Sequence, residues 1–137
     1  MTPLLERYFS FRGRLARLPF FIRTLYLNIA ASLILAASAP LLWSGGRIGW
    51  WAGLCGAAAS LAVLATGLVS LIARRLHDLG FAGYHVIWAF AAEIAWTALS
   101  ASGSRFVLDA LPLLAVDLWL TFWPGNAGAN RFGDAPE

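Results

Sequence analysis

From Ile48 to Ala73 the chain carries no charged residue, over a length that can cross a bilayer with some tilt. Such a run needs either hydrocarbon around it or enough protein to enclose it. A chain of 137 residues does not supply the enclosure, because folded chains of roughly 150 residues still leave about a third of their surface exposed. Composition points the same way: 60% of the residues are hydrophobic and 12% charged, against about 25% charged in soluble domains. The sequence predicts an all-α integral membrane protein made of one membrane domain, residues 1–137.

That run is the second of four expected spans, 48–73. The first covers about 18–43 and holds Arg23, Asn28 and Pro40; the third covers about 86–102 and holds Glu93; the fourth covers about 106–123 and holds Asp109, Pro112 and Asp117. The last two are short, and an acid near a helix centre costs roughly 2.5 to 3.5 kcal/mol on insertion scales. They are expected to insert as a pair shielded by the first two, giving a four-transmembrane-helix bundle. The first stretch also has features of a secretory leader, since arginines precede it and Ala37, Ser38 and Ala39 form a small-x-small site. Its long basic lead-in, Pro40 just behind that site and three later spans argue that it stays attached.

All ten basic residues are arginines, and their placement sets the expected orientation. Arg7, Arg12, Arg14, Arg17 and Arg23 lie at the amino end, Arg74 and Arg75 in the central loop 74–85, and Arg131 in the tail 124–137, while the two other breaks hold only Arg47 and Arg105. The positive-inside bias then puts both termini and the central loop in the cytoplasm, in a bacterial-type inner membrane. Trp43, Trp50 and Trp51 fall at the outer interface and Trp123 at the inner one, where indoles prefer to sit. The formal charge of +3 therefore reports topology, and no nucleic-acid partner is expected. Cys55 is the single cysteine, which excludes an internal disulfide and a cysteine metal cluster. No cofactor is expected either.

Within the second span Gly49, Gly53, Gly56, Ser60 and Gly67 project on one helix face, within a stripe roughly 60° wide at about 100° per residue. A seam of small residues lets another helix approach closely. Packing against the first or fourth span of the same chain is the favoured reading, with a homo-oligomer through this seam as the alternative.

Three polar clusters remain, and the expected topology puts all of them on the cytoplasmic face. They are 11–17 (FRGRLAR), 73–84 (ARRLHDLGFAGY) and 124–136 (PGNAGANRFGDAP). In that order, between four spans, they closely resemble the motifs of the YhaH-like family of small bacterial inner-membrane proteins, a domain of unknown function (DUF805). The matching positions are Phe11, Gly13, Arg14 and Arg17; Arg74 to Asp78, Gly80 and Gly83; and Pro124, Gly125, Gly128, Asn130, Arg131, Phe132, Gly133 and Pro136. Departures are Pro19 where a charged residue is common, Ala82 for serine and Tyr84 for tryptophan. The resemblance covers nearly the whole chain and implies a fold, but no activity.

The clusters also have a chemistry of their own. Arg74 and Arg75 close the second helix, where cations complement both the helix terminus and anionic headgroups. Gly80 is placed to be a left-handed helix stop. Asp78 is the lone acid among these arginines, and a salt bridge to Arg14 or Arg17 would pin the amino-terminal segment to the central loop. His77 is placed to donate to Asn130 or accept from Arg131. The candidate face is thus Arg14, Arg17, Arg74, Arg75, His77, Asp78, Asn130 and Arg131. It reads either as topology anchors with a loop clasp, which the arginine bias already accounts for, or as a pocket for a lipid phosphate or other anion. An acid–base pair of His77 and Asp78 is disfavoured, because adjacent residues on one helix do not face each other and no nucleophile completes a site. His85 is expected to cap the interfacial start of the third span.

Arg23, Glu93 and Asp117 are candidate intramembrane charges. Both acids lie about 9 to 11 Å deep at 1.5 Å per residue, and neighbouring helices would bring them together with Arg23 reaching in from the same side. Asp109 lies near the outer rim. The leading expectation is a non-enzymatic membrane module whose arginine-rich inner face binds anionic lipid or a protein partner. A transporter or channel component using the intramembrane acids is the alternative, and a membrane enzyme has the least support.

Overall fold

The computed structural model describes residues 4–100 and 111–136. Among them are the helices α1 (Leu4–Phe9), α2 (Arg17–Ser44), α3 (Gly46–Asp78), α4 (His85–Ser100) and α5 (Leu111–Phe122). No β-strand occurs among the described residues beyond an isolated bridge between Asn130 and Gly133. Asp109, Arg105 and the side chain of Glu93 lie outside the described residues.

Contacts divide the chain into two compact units, Met1–Ser10 with Ile22–Ser70, and Phe11–Phe21 with Leu71–Glu137. The first is a helical hairpin. Gly45 alone separates α2 from α3, and Gly46 follows with φ +59, a conformation that costs a glycine little. The two helices then run antiparallel. Side chains added at Gly67, Gly56 and Gly53 would strike Leu27, the Ser38 hydroxyl and the Ser38 carbonyl, at 2.6, 2.5 and 2.9 Å, and one at Gly49 would reach the Leu41 carbonyl at 3.3 Å. Ser60 Oγ donates to the Ala31 carbonyl at 2.7 Å. All five small residues of the seam therefore face α2 of the same chain.

Other polar side chains of the hairpin return their hydrogens to their own helix. Asn28 donates to Thr24 O, Ser38 to Ile34 O and Thr66 to Ala62 O. Such back-bonding satisfies a polar hydrogen without a partner outside the helix. Arg7 and Ser10 carbonyls accept from Arg23 Nη1 and Ser70 Oγ, which ties α1 and the residue after it into this unit.

The second unit is built on the last turns of α3. Leu71, Leu76, Leu15, Phe20, Val86 and Leu120 are buried there, and α4 packs on α5. No helix breaker precedes Gly80, so α3 runs on to Asp78 instead of stopping at Ala73. Arg74, Arg75, His77 and Asp78 are consequently helical, and the central loop shrinks to 79–84. Gly80 ends the helix as expected: its φ is +86, Phe81 N donates to Leu76 O and Gly80 N to His77 O, the paired bonds of a Schellman stop.

Two helices, α2 over Arg17–Trp43 and α3, are long and apolar enough to cross a membrane. Only 17% and 22% of their most apolar windows are buried, whereas the core helix of a soluble protein is mostly buried. The described parts of α4 and α5 hold 16 and 12 residues, and both are bounded by the undescribed stretch 101–110. The expected spans 86–102 and 106–123 are thus represented by His85–Ser100 and Leu111–Phe122, with 101–110 outside the described residues.

Candidate functional site

Three sequence clusters meet at one carboxylate. Arginine stays protonated at any ordinary pH, so a buried arginine needs anionic or carbonyl acceptors on all of its edges. Arg75, with no exposed surface, and Arg14, 6% exposed, are both in this position, and Asp78, 2% exposed, lies between them. Arg14 donates to Asp78 Oδ1 through Nη2 at 2.9 Å and Nε at 3.2 Å. Arg75 Nη1 donates to Asp78 Oδ2. Each carboxylate oxygen is thereby claimed by a different guanidinium.

The two guanidiniums outnumber the one carboxylate, and the excess charge is spread over main-chain oxygens. Arg75 Nε donates to Leu120 O at 2.7 Å and Nη2 to Trp123 O, which caps the carbonyl end of α5. Its Nη1 also reaches Leu15 O at 3.5 Å. Arg14 continues into the tail, donating to Asn126 O, Gly128 O and Gly133 O. The tail backbone comes so close that a side chain at Gly125 would place its Cβ 1.9 Å from Asp78 Oδ2. Asn126 N donates to Asp78 O at 2.9 Å.

A second layer surrounds this centre. Leu15 N donates to Arg74 O at 3.1 Å. Asn130 Nδ2 donates to His77 O at 2.9 Å while its Oδ1 accepts from Phe132 N, and Asn130 and Gly133 exchange backbone bonds at 3.0 Å. The His77 ring stacks on Phe132, 4.1 Å between centroids and 10° between planes, with Nδ1 3.1 Å from Gly13 O. Arg131 Nη2 donates to Gly80 O at 3.1 Å, and its guanidinium lies over Phe132.

Asp78 pairs with Arg14, one of its two expected partners, and also with Arg75 on its own helix three residues before it. Other expectations change. Arg75 faces protein and not headgroups, because the end of α5 supplies acceptors that a lipid surface would otherwise offer. Asn130 meets the His77 carbonyl and Arg131 the Gly80 carbonyl, so neither touches the imidazole. His85 opens α4 as expected, with its ring among those of Phe81 and Tyr84.

Arg17 is exposed beside a groove of about 310 Å³ lined also by Asp78, Asn126 and Pro136. Of the intramembrane candidates, Arg23 bonds a main-chain carbonyl in the first unit and Asp117 is exposed on α5 in the second. The main-chain acceptors of α5 and the tail are functional parts that side-chain reasoning missed. Gly125, which the close approach of the tail to Asp78 requires, is not distinguished in the sequence from Gly128, whose Cβ would meet nothing within 4 Å.

Fold and node together define an all-helical protein with two helices long enough to span a membrane, whose amino-terminal segment and tail are locked onto the end of α3 by a buried Arg–Asp–Arg centre. The model of a family described as "Protein of unknown function (DUF805)" matches residues 8–134, and the chain belongs to that family. No curated protein and no solved structure matches the chain significantly.

Proposed function

We propose that the chain is a non-enzymatic, multi-pass membrane module with four spans and both termini in the cytoplasm, whose basic inner face engages anionic lipid. The observation that carries this reading is the pairing of long apolar helices that stay exposed with a node that uses its charges internally. Leu33, Trp43 and Ile48 on the hairpin are 66%, 87% and 86% exposed, surface that hydrocarbon solvates and water does not. At the node, Asp78 and the two arginines bonded to it are occupied in holding segments together. What remains for a ligand is the basic rim, Arg17 and Arg131, at a face where anionic headgroups attract cations by about 1 kcal/mol per residue.

The test is the lipid that accompanies the wild-type chain when it is excised from native membranes in polymer discs. The reading expects anionic phospholipid enriched over the bulk membrane. Discs whose lipid matches the bulk would sink it, and so would recovery of the chain as a monodisperse species in buffer without detergent.

A further inference from the structure

Arg17 differs from the other arginines of the clusters. It is exposed, and among the described residues it makes no hydrogen bond or ion pair. It also lines two grooves at once. One is the groove already described, the more polar of the two, lined also by Pro124, Gly125 and Asn126. The other, also of about 310 Å³, is apolar and runs between the first turns of α2 and the last turn of α5, lined by Leu18, Phe21, Thr121 and Phe122.

The two grooves have complementary requirements. Asp78, the acid of the polar groove, has one carboxylate oxygen claimed by Arg14 and the other by Arg75. Arg17 is the other charged residue of that lining, and its guanidinium calls for an anion. Leu18, Phe21 and Phe122 are 63%, 50% and 68% exposed and call for hydrocarbon. Arg17 is the first residue of the helix that enters the first candidate span, so it stands where headgroups give way to acyl chains.

We infer that the paired grooves form a binding site for one anionic phospholipid, with the phosphodiester on the Arg17 guanidinium, the headgroup in the polar groove and an acyl chain along Leu18, Phe21 and Phe122. The planar guanidinium matches two phosphate oxygens at once, which a lysine ammonium does not. The inference rests on the membrane reading proposed above and narrows it to one site.

The full chain in nanodiscs of equal phosphatidylglycerol and phosphatidylcholine, released for native mass spectrometry, tests it. Wild type keeps phosphatidylglycerol in preference to phosphatidylcholine. Arg17→Gln lowers that retention about tenfold, the loss of roughly one charge-assisted bond pair, while Arg47→Gln, at the opposite end of the hairpin, leaves it unchanged. Arg17→Lys falls between them, and Phe122→Ser weakens retention of long-chain lipid. Because the Arg17 side chain makes no bond among the described residues, an unchanged helical signal and elution position for Arg17→Gln separate lipid loss from unfolding. Retention untouched by Arg17→Gln, or lost equally in Arg47→Gln, overturns the site. Displacement by inorganic phosphate with Phe122→Ser without effect overturns it in favour of a free-anion site. Wild type with no preference between the lipids overturns the site and the parent reading together; a preference that ignores Arg17→Gln overturns the site alone.

Discussion

Asp78 concentrates the energetics of the second unit in one residue. With the carboxylate gone, two buried guanidiniums lose the only anion they meet among the described residues, and breaking such a pair by removing one partner costs about 3–5 kcal/mol. Asp78→Asn is therefore expected to lower stability in detergent by that amount, read as a fall in melting temperature or in the denaturant midpoint. Arg75→Lys is expected to cost about 1–3 kcal/mol, because one ammonium cannot reach Asp78, Leu120 O and Trp123 O together. Gly125 and Gly128 make an internal comparison within four residues of tail. A Cβ at Gly125 collides with Asp78, whereas one at Gly128 meets nothing within 4 Å. Gly125→Ala should cost about 1–3 kcal/mol and Gly128→Ala less than about 0.5 kcal/mol, measured in the same unfolding assay.

At the scale of elements, the hairpin of α2 and α3 depends on close approach along one face. Gly53→Val would press into the Ser38 carbonyl and the Leu42 backbone, which cannot rotate away, and the cost of such overpacking is about 1–3 kcal/mol. Gly49→Ala, 3.3 Å from its nearest neighbour, is expected to be milder. This seam was legible in the sequence because helical periodicity turns spacing into a face, and so were the Gly80 stop and the Asp78–Arg14 pair, since a lone acid among arginines has few other places to go. What was not legible follows from the same physics. Hydropathy marks the edge of the apolar run at Ala73 and not the edge of the helix, because arginines are good helix formers and no breaker intervenes before Gly80. The acceptors for Arg75 and Arg14 are backbone oxygens of α5 and the tail, and a backbone carbonyl has no sequence signature.

For the molecule as a whole, exposed apolar helices and a buried charged node invert the usual distribution of a water-soluble protein. The proposed reading accounts for that inversion by surrounding the helices with hydrocarbon and letting water meet the node's rim, with the node at a membrane interface. On the same proposal the arginine bias makes that interface the cytoplasmic one. Cys55 is exposed on α3, so labelling needs Cys55→Ala as a background. Gly128 is exposed, with open space at its Cβ, and Gly128→Cys reports on the node directly. A membrane-impermeant maleimide should modify this cysteine in inverted inner-membrane vesicles and leave it unmodified in intact cells. Modification in intact cells would contradict the account.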